Sequence, residues 1–265
     1  MRSVKPIFLL ALVCTTAALA SAQSTPKSGE EVLQRMHDAY AGKWYRTLTF
    51  VQKTTRYRSD GTPNVSTWFE SLEQAASGLT RLRIDMGDPS AGNGMLYTAD
   101  STTRFSAGKV AAAQSGGNEF LPMIEGVYMQ PVAQTVAELK TTGIDMKRVM
   151  KGEWQGRPVW IVGASSPSDT TAAQFWIDIE RNVVVRMVFA PSPNAGTLDI
   201  HLDGYVPIDK AWLATKVTMS ANGKPLQTEE YFEYKTNVDL SKEMFNPASW
   251  TTAPHWARGH PLLKP

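Results

Sequence analysis

Cysteine is almost missing from this chain. Cys14 is the only one in 265 residues and lies in the N-terminal apolar run, so the rest of the chain is expected to form no disulfide and to offer no thiolate nucleophile. An excess of charge is missing too. Against 25 Asp and Glu stand 27 Lys and Arg, and the surplus of +2 is the contribution of Arg2 and Lys5. A chain balanced near zero has no bulk attraction for nucleic acid or an acidic surface. No apolar run reaches the ~20 residues of a membrane span. There is no Gly-x-Ser-x-Gly nucleophile elbow, and no repeat of fixed period. Gly92-Asn-Gly94 and Gly116-Gly117 lack the strand-turn-helix setting of a phosphate loop.

Histidine is scarce, with four residues, and none sits in an evident constellation. His37 falls on the solvated side of a predicted helix. His201 shares one strand face with Asp199 and Asp203, a trio that suits either a metal or a hydrolase site, or plain solvation. His255 and His260 lie near the C-terminus without helical spacing. Asp85 and Asp88 stand beside Gly and Pro and read as turn residues.

The N-terminus reads as a secretory signal peptide over residues 1–22. Arg2 and Lys5 precede Ile7-Phe-Leu-Leu-Ala-Leu-Val13, and Ala18-Leu-Ala-Ser-Ala22 supplies small cleavage positions, after Ala22 or Ala20. Cys14 is not read as a lipid acceptor, because Val13 before it is not small. Beyond residue 22 the length suits one large all-β domain or two small ones, and no internal boundary stands out.

Ser28-Gly-Glu-Glu31 is a capping box, and Val32, Met36, Ala39 and Tyr40 follow at helical spacing up to Gly42. Strand patterns cover 45–57, 65–75, 79–86, 95–98 and 102–106, and then 144–153, 157–164, 171–180, 183–190, 196–206, 211–221 and 225–235. Ala111-Ala-Ala-Gln-Ser-Gly-Gly117 reads as a loop. Phe120 to Met129 is apolar but broken by Pro122 and Gly126, and a helix follows Pro131 and stops at Gly143. Asn222-Gly223 is the strongest hairpin turn. Residues 249–265, with three prolines, read as an extended tail. The expected fold is mainly β (α+β): one strongly curved antiparallel sheet, with short helices segregated to its inner side.

The hairpin Gln174–Phe189 carries the sharpest local prediction. A three-residue loop with Asn182 in the left-handed region sets Ile179 opposite Val183, Ile177 opposite Val185 and Phe175 opposite Met187. One face then holds Phe175, Ile177, Ile179, Val183, Val185, Met187 and Phe189, all apolar. Trp176 faces Arg186 on the other. Methionine is plentiful, at 11 residues, beside eight tryptophans, and methionine suits surfaces that accept varied apolar partners.

The order of these elements resembles the LolA/LolB superfamily of periplasmic carriers of outer-membrane lipoproteins, with relatives such as the RseB sensor. Leu48-Thr-Phe-Val-Gln52 is similar to the Phe-x-Gln of its first strand, and Leu82-Arg-Ile-Asp85 to its basic-aromatic strand. Gly94-Met-Leu-Tyr-Thr-Ala-Asp100 stands where the family has its Gly-to-Tyr strand. Phe120-Leu-Pro-Met-Ile124 stands in place of the plug helix, the 174–189 hairpin in place of the late hairpin, and Phe245-Asn-Pro247 in place of the closing Phe-x-Pro. The resemblance spans most of residues 28–248.

That resemblance implies an unclosed half-barrel over 23–248 with helices across an apolar cavity. It implies a non-enzymatic periplasmic monomer, without cofactor or metal, that carries lipoprotein acyl chains or lipid between inner-membrane donor and outer-membrane acceptor proteins. An envelope sensor or scaffold is the alternative, and a hydrolase built on His201 the third. The cavity residues it implies are Phe50, Leu82, Ile84, Tyr97, Phe120, Leu121, Met123, Ile124, Met129, Phe175, Ile177, Val185, Met187 and Phe189. The family latches its plug with an arginine before a proline. No Arg-Pro stands at that strand here, and Arg81 and Arg83 are the candidates in its place.

Overall fold

The structure is a computed structural model that describes residues 24–74, 80–192 and 196–263; the predicted signal peptide lies outside the described residues. Helix α1 (Gly29–Tyr40) begins at Ser28, whose hydroxyl accepts from Glu31 N at 3.3 Å. The Glu31 carboxylate reaches back to Lys27 N at 2.8 Å, one residue beyond the cap. Val32, Leu33 and Met36 are buried, as the helical spacing requires.

The strands are β1 (Thr47–Tyr57), β2 (Pro63–Gln74), β3 (Thr80–Met86), β4 (Gly94–Tyr97), β5 (Ser101–Ser106) and β6 (Lys109–Ser115). After the short helices α2 (Leu121–Ile124) and α3 (Val132–Glu138) come β7 (Val149–Trp154), β8 (Arg157–Val162), β9 (Gln174–Asp178), β10 (Val183–Ser192) and β11 (Gly196–Asp203). The last are β12 (Val206–Ile208), β13 (Ala211–Leu213), β14 (Lys216–Ala221) and β15 (Lys224–Thr236). Among the described residues, one 13-stranded sheet runs in the order β6-β5-β4-β3-β2-β1-β15-β14-β11-β10-β9-β8-β7, with β12 and β13 forming a separate hairpin. Two meanders are therefore joined along one antiparallel seam, β1 with β15. Edges β6 and β7 do not meet, so the sheet stays open, as expected of a half-barrel.

Several local predictions differ: strand β7 begins at Val149, not at 144, and 211–221 is divided into β13 and β14. Residues 109–115, expected within or beside a loop, form edge strand β6 on β5 and are exposed throughout. Ala107 and Gly108 take positive φ (47° and 77°) and turn the chain back; ladder pairing needs only the backbone, which small side chains leave free. The C-terminal segment is not extended. Its described residues fold into turns against the side of the sheet opposite the helices, called outer below. There Trp250 stacks on Phe105 at 3.9 Å, and Trp256 Nε1 donates to Ser71 Oγ at 2.8 Å. Gly94 permits the approach: a Cβ there would lie 2.8 Å from Trp250 Cζ2.

The 174–189 hairpin keeps part of its predicted register. Asn182 is left-handed (φ 53°), Phe175 pairs with Met187, and Trp176 with Arg186. Nearer the turn, Ile177 pairs with Val184 and Asp178 with Val183, with a bulge between Val184 and Arg186. The Asp178 carboxylate accepts from Glu180 N and Arg181 N, both at 2.9 Å. That Asx-type turn begins the reversal one residue early, and the bulge absorbs the difference. Val185 is thereby carried to the outer side, into a cluster with Val159, Ile161 and Trp176.

Candidate functional site

Alternation along the strands builds an apolar inner wall. Leu48 and Phe50 on β1, Leu82 and Ile84 on β3, and Met95 and Tyr97 on β4 stand two residues apart and face the helices. Met187 on β10, Ile200 on β11 and Val217 on β14 make the facing wall, and Phe120, Leu121 and Ile124 lie across them. Between sheet and cover is a cavity of about 280 Å³. Its size is near the lower end of ligand pockets, roughly 300–1,000 Å³. A second, more open depression of about 390 Å³, beyond Asn118 and Leu121, is lined by Thr98, Ala99, Gly117, Pro122, Gln130 and Glu138.

Of the residues predicted from the resemblance, the structure gathers Phe50, Leu82, Ile84, Tyr97, Phe120, Leu121, Ile124 and Met187 around this one cavity. Met123, Phe175 and Ile177 are buried in the surrounding core. Met129 and Phe189 are half-buried against that core, with Phe189 edge-on to Phe120 at 5.3 Å. Val185 is on the other side of the sheet, for the reason given above.

The candidate latch arginines are also on the other side. Because Leu82 and Ile84 point inward, Arg81 and Arg83 point outward. Arg83 makes two 2.7 Å hydrogen bonds to Asp85 and donates to the carbonyls of Met244 and Trp250. Arg81 pairs with Glu73 and lies over the Phe245 ring at 4.8 Å. Both hold the C-terminal segment, not the plug. His255 joins this buried cluster: its Nδ1 accepts from Ala257 N at 3.1 Å, and its Nε2 lies 2.9 Å from Asp85. The Ala257 bond sets the tautomer, so Nε2 carries the proton toward Asp85. Burial alone would raise the Asp85 carboxyl, but the bonds and charge of Arg83 and the hydrogen bond from His255 hold it below its ordinary value.

What ties the plug to the sheet is an acid. Glu125 follows α2 and is buried, accepting from Trp44 Nε1 at 2.8 Å, Tyr45 hydroxyl at 2.7 Å and Gln74 Nε2 at 2.8 Å. Burial pushes this carboxyl up, and the three donors only partly offset it, leaving it at about 7. The next turn, Gly126–Tyr128, is tied to α1 and to the β9–β10 loop. Val127 O lies 3.0 Å from His37 Nδ1, so His37 is not simply solvated, and the Tyr128 hydroxyl donates to Asn182 O at 3.1 Å.

One end of the cavity is polar. Glu70 on β2 and Glu229 on β15 both line it, and both are buried. Glu229 accepts from the Tyr231 hydroxyl and from Gln227 Nε2. Burial and the charge of Glu229 push Glu70 well above the ordinary carboxylate range. Burial raises Glu229 as well, against its Tyr231 and Gln227 bonds. Burial, with the two acids, pushes Tyr97 up to about 12. Sequence reasoning passed over these acids, although a signal was there: in Trp68-Phe-Glu-Ser-Leu72, Glu70 alternates with two residues of the apolar face.

The His201 trio does not converge. Asp199 is engaged by Arg186 through bonds of 2.9 and 2.7 Å, with His201 Nε2 at 3.2 Å, while Asp203 accepts from Gln155. The His201 and Arg186 contacts outweigh burial and hold Asp199 at about 2. Among the described residues no three His, Cys, Asp or Glu side chains gather as a metal-holding group, and no helix is long and apolar enough to cross a membrane.

No family model matches this chain, and no curated protein matches it. Solved structures do. A DUF1329 family protein from Desulfovibrio piger superposes with a TM-score of 0.51 at 10% identity, over 84% of this chain and 97% of its own. A domain assigned to outer membrane lipoprotein sorting, from Vibrio parahaemolyticus, gives 0.51 at 10% identity, over 84% and 98%. A LolA superfamily protein from Nitrosomonas europaea gives 0.49 at 10% identity, over 83% and 97%. At such identity the likeness is one of fold alone: this chain has an open, helix-covered β half-barrel, and it shares its fold with the Desulfovibrio piger and Vibrio parahaemolyticus proteins.

Proposed function

We propose that this chain is an exported, non-catalytic binder of acyl chains, carrying lipid or the acyl chains of lipoproteins through the periplasm towards the outer membrane. The cavity carries the reading: its walls are apolar side chains drawn from both the sheet and the Phe120–Ile124 cover. Each methylene buried there contributes roughly 0.8 kcal/mol, so a long chain offers on the order of 10 kcal/mol before association and ordering costs are subtracted. That leaves an affinity compatible with release. A volume of about 280 Å³ suits one chain better than a bundle of several. The signal peptide read from the sequence supports export, and the Vibrio parahaemolyticus neighbour supports the sorting role. Donor and acceptor proteins at the two membranes are the partners this function would require.

The test is to purify the exported protein from cells, extract it for mass spectrometry, and titrate it with a fluorescent fatty acid. Co-purifying lipid and saturable binding that Met187→Trp abolishes are the expected results. A protein that emerges empty and binds no probe refutes the proposal.

A further inference from the structure

The polar end of the cavity holds buried acceptors that the fold itself leaves uncommitted. Glu70 is 5% exposed and lines the cavity, yet its carboxylate has neither an ion-pair partner nor a hydrogen bond among the described residues. Glu229 has two donors, Tyr231 and Gln227, but no cation within ion-pair distance there either. A third acceptor is nearby. Gln52, fully buried on β1, gives its amide N–H to Thr54 Oγ1 at 2.7 Å, and its Oε1 has no partner. Gln52 pairs with Trp68 across to β2 and with Tyr231 across to β15, and Thr54 pairs with Glu229. The acceptors therefore come from three adjacent strands, with β1 in the middle.

We propose that Glu70 and Glu229 form a receptor for the protonated amine of a single-chain cationic amphiphile, whose chain lies along the apolar wall. This rests on the reading of the cavity as a chain-binding site and adds the chemistry of its head group. An ammonium has three donors and no acceptor, matching an end where acceptors are unpaired. A buried carboxylate without a partner is costly, and a bound cation relieves that cost at both acids. Aromatic rings beside the acids extend the match: Phe50 and Tyr231 lie 4.4 Å apart between ring centroids, with ring faces of the kind that attract cations.

The charged and titratable neighbours on the packed elements agree. Arg56 of β1 is the cation there, and it is already used, with its guanidinium 4.7 Å from the Trp68 ring and Nε donating to Gln227 Oε1 at 3.0 Å. Tyr97 of β4 and Tyr231 of β15 are neutral phenols, and Glu125 beyond α2 is held by its own three donors. An anionic head would meet two carboxylates against one engaged arginine.

The test compares dodecylamine, dodecanol and dodecanoic acid by calorimetric titration of the full exported protein below their micelle concentrations. The amine is expected to bind at least about tenfold tighter than the alcohol, and the carboxylate weakest. In Glu70→Gln the ratio of amine to alcohol affinity falls toward one. Glu229→Gln serves as a second variant, and thermal melts establish that each is folded; if neither folds, the wild-type order decides. Amine binding no tighter than the alcohol, tighter binding of the carboxylate, or an amine preference that survives both variants overturns the proposal. If none of the three ligands binds, the chain-binding reading itself fails and takes this one with it.

Discussion

The Tyr45 hydroxyl donates a 2.7 Å hydrogen bond to the buried Glu125 carboxylate, which binds the plug segment to the start of the sheet. The resemblance pointed to arginine for this task. Here the polarity is reversed: the acid sits on the plug, and the donors Trp44, Tyr45 and Gln74 sit on the sheet side. The donors are neutral, so the protonation state of Glu125 sets the strength of the clasp.

Stability should therefore depend on pH near neutrality. The Glu125 carboxyl is raised from 4.5 to about 7 by burial, so between those values the folded state holds a proton that the unfolded state has released. The Glu125 contribution is then fullest below 4.5 and falls as pH rises through about 7, by roughly 3 kcal/mol at most. Glu70 and Glu229 are raised too and act with the same sign. Denaturant titrations from pH 4.5 to 7.5 should show this fall, and Glu125→Gln should make it shallower. An unchanged slope would remove Glu125 as its source.

Arg83→Met should act on the C-terminal segment and not on the cavity. It leaves the buried Asp85 without its guanidinium, with the neutral His255 as its remaining side-chain partner, a loss of the kind that costs about 3–5 kcal/mol. Tryptic cleavage at Arg258 should become faster while fatty-acid affinity holds. Loss of binding in a protein of undiminished stability would restore Arg83 as a latch.

The bulge predicts a contrast within one strand. Val185→Ala removes packing from the outer cluster with Trp176 and should cost roughly 2 kcal/mol without altering which chain lengths bind. Met187→Ala enlarges the cavity and should shift the preference toward longer chains. Equal effects on that preference would contradict the register.

Gly94→Ala tests how closely the closing segment approaches the sheet. Its Cβ would fall 2.1 Å from Ile84 O and 2.8 Å from Trp250 Cζ2. Part of the clash is with backbone, so the change should cost at least ~1–3 kcal/mol, read as a lowered denaturation midpoint. A neutral result would mean that Trp250 does not pack there.

Much of the fold was legible because its signals are local. Ser28 caps α1, Asn182 turns β9 into β10, Asn222 and Gly223 turn β14 into β15 with φ of 50° and 74°, and Gly143 ends the helical stretch after Pro131. The errors have local causes as well. Strand β6 carries small side chains without a periodic signal. At Asp178 a side-chain turn competes with the strand pattern, and hydrophobicity alone does not locate the bulge. The tail looked extended because its prolines were read without the partners that Trp250 and His255 find on β3 and β5.

By itself the sequence determined most of the strands, most of the turns and, through the alternation of Leu82 with Arg83 or Trp68 with Phe69, which side chains share a face. It could not say which face the helices cover. Tertiary structure decided that Arg83 lies beneath the C-terminal segment, that Glu125 closes on Tyr45, and that Glu70 and Glu229 meet at one end of a cavity. The reason is range: alternation follows from the backbone of a single strand, whereas convergence depends on the β1–β15 seam, which joins residues as distant in sequence as Leu48 and Thr236.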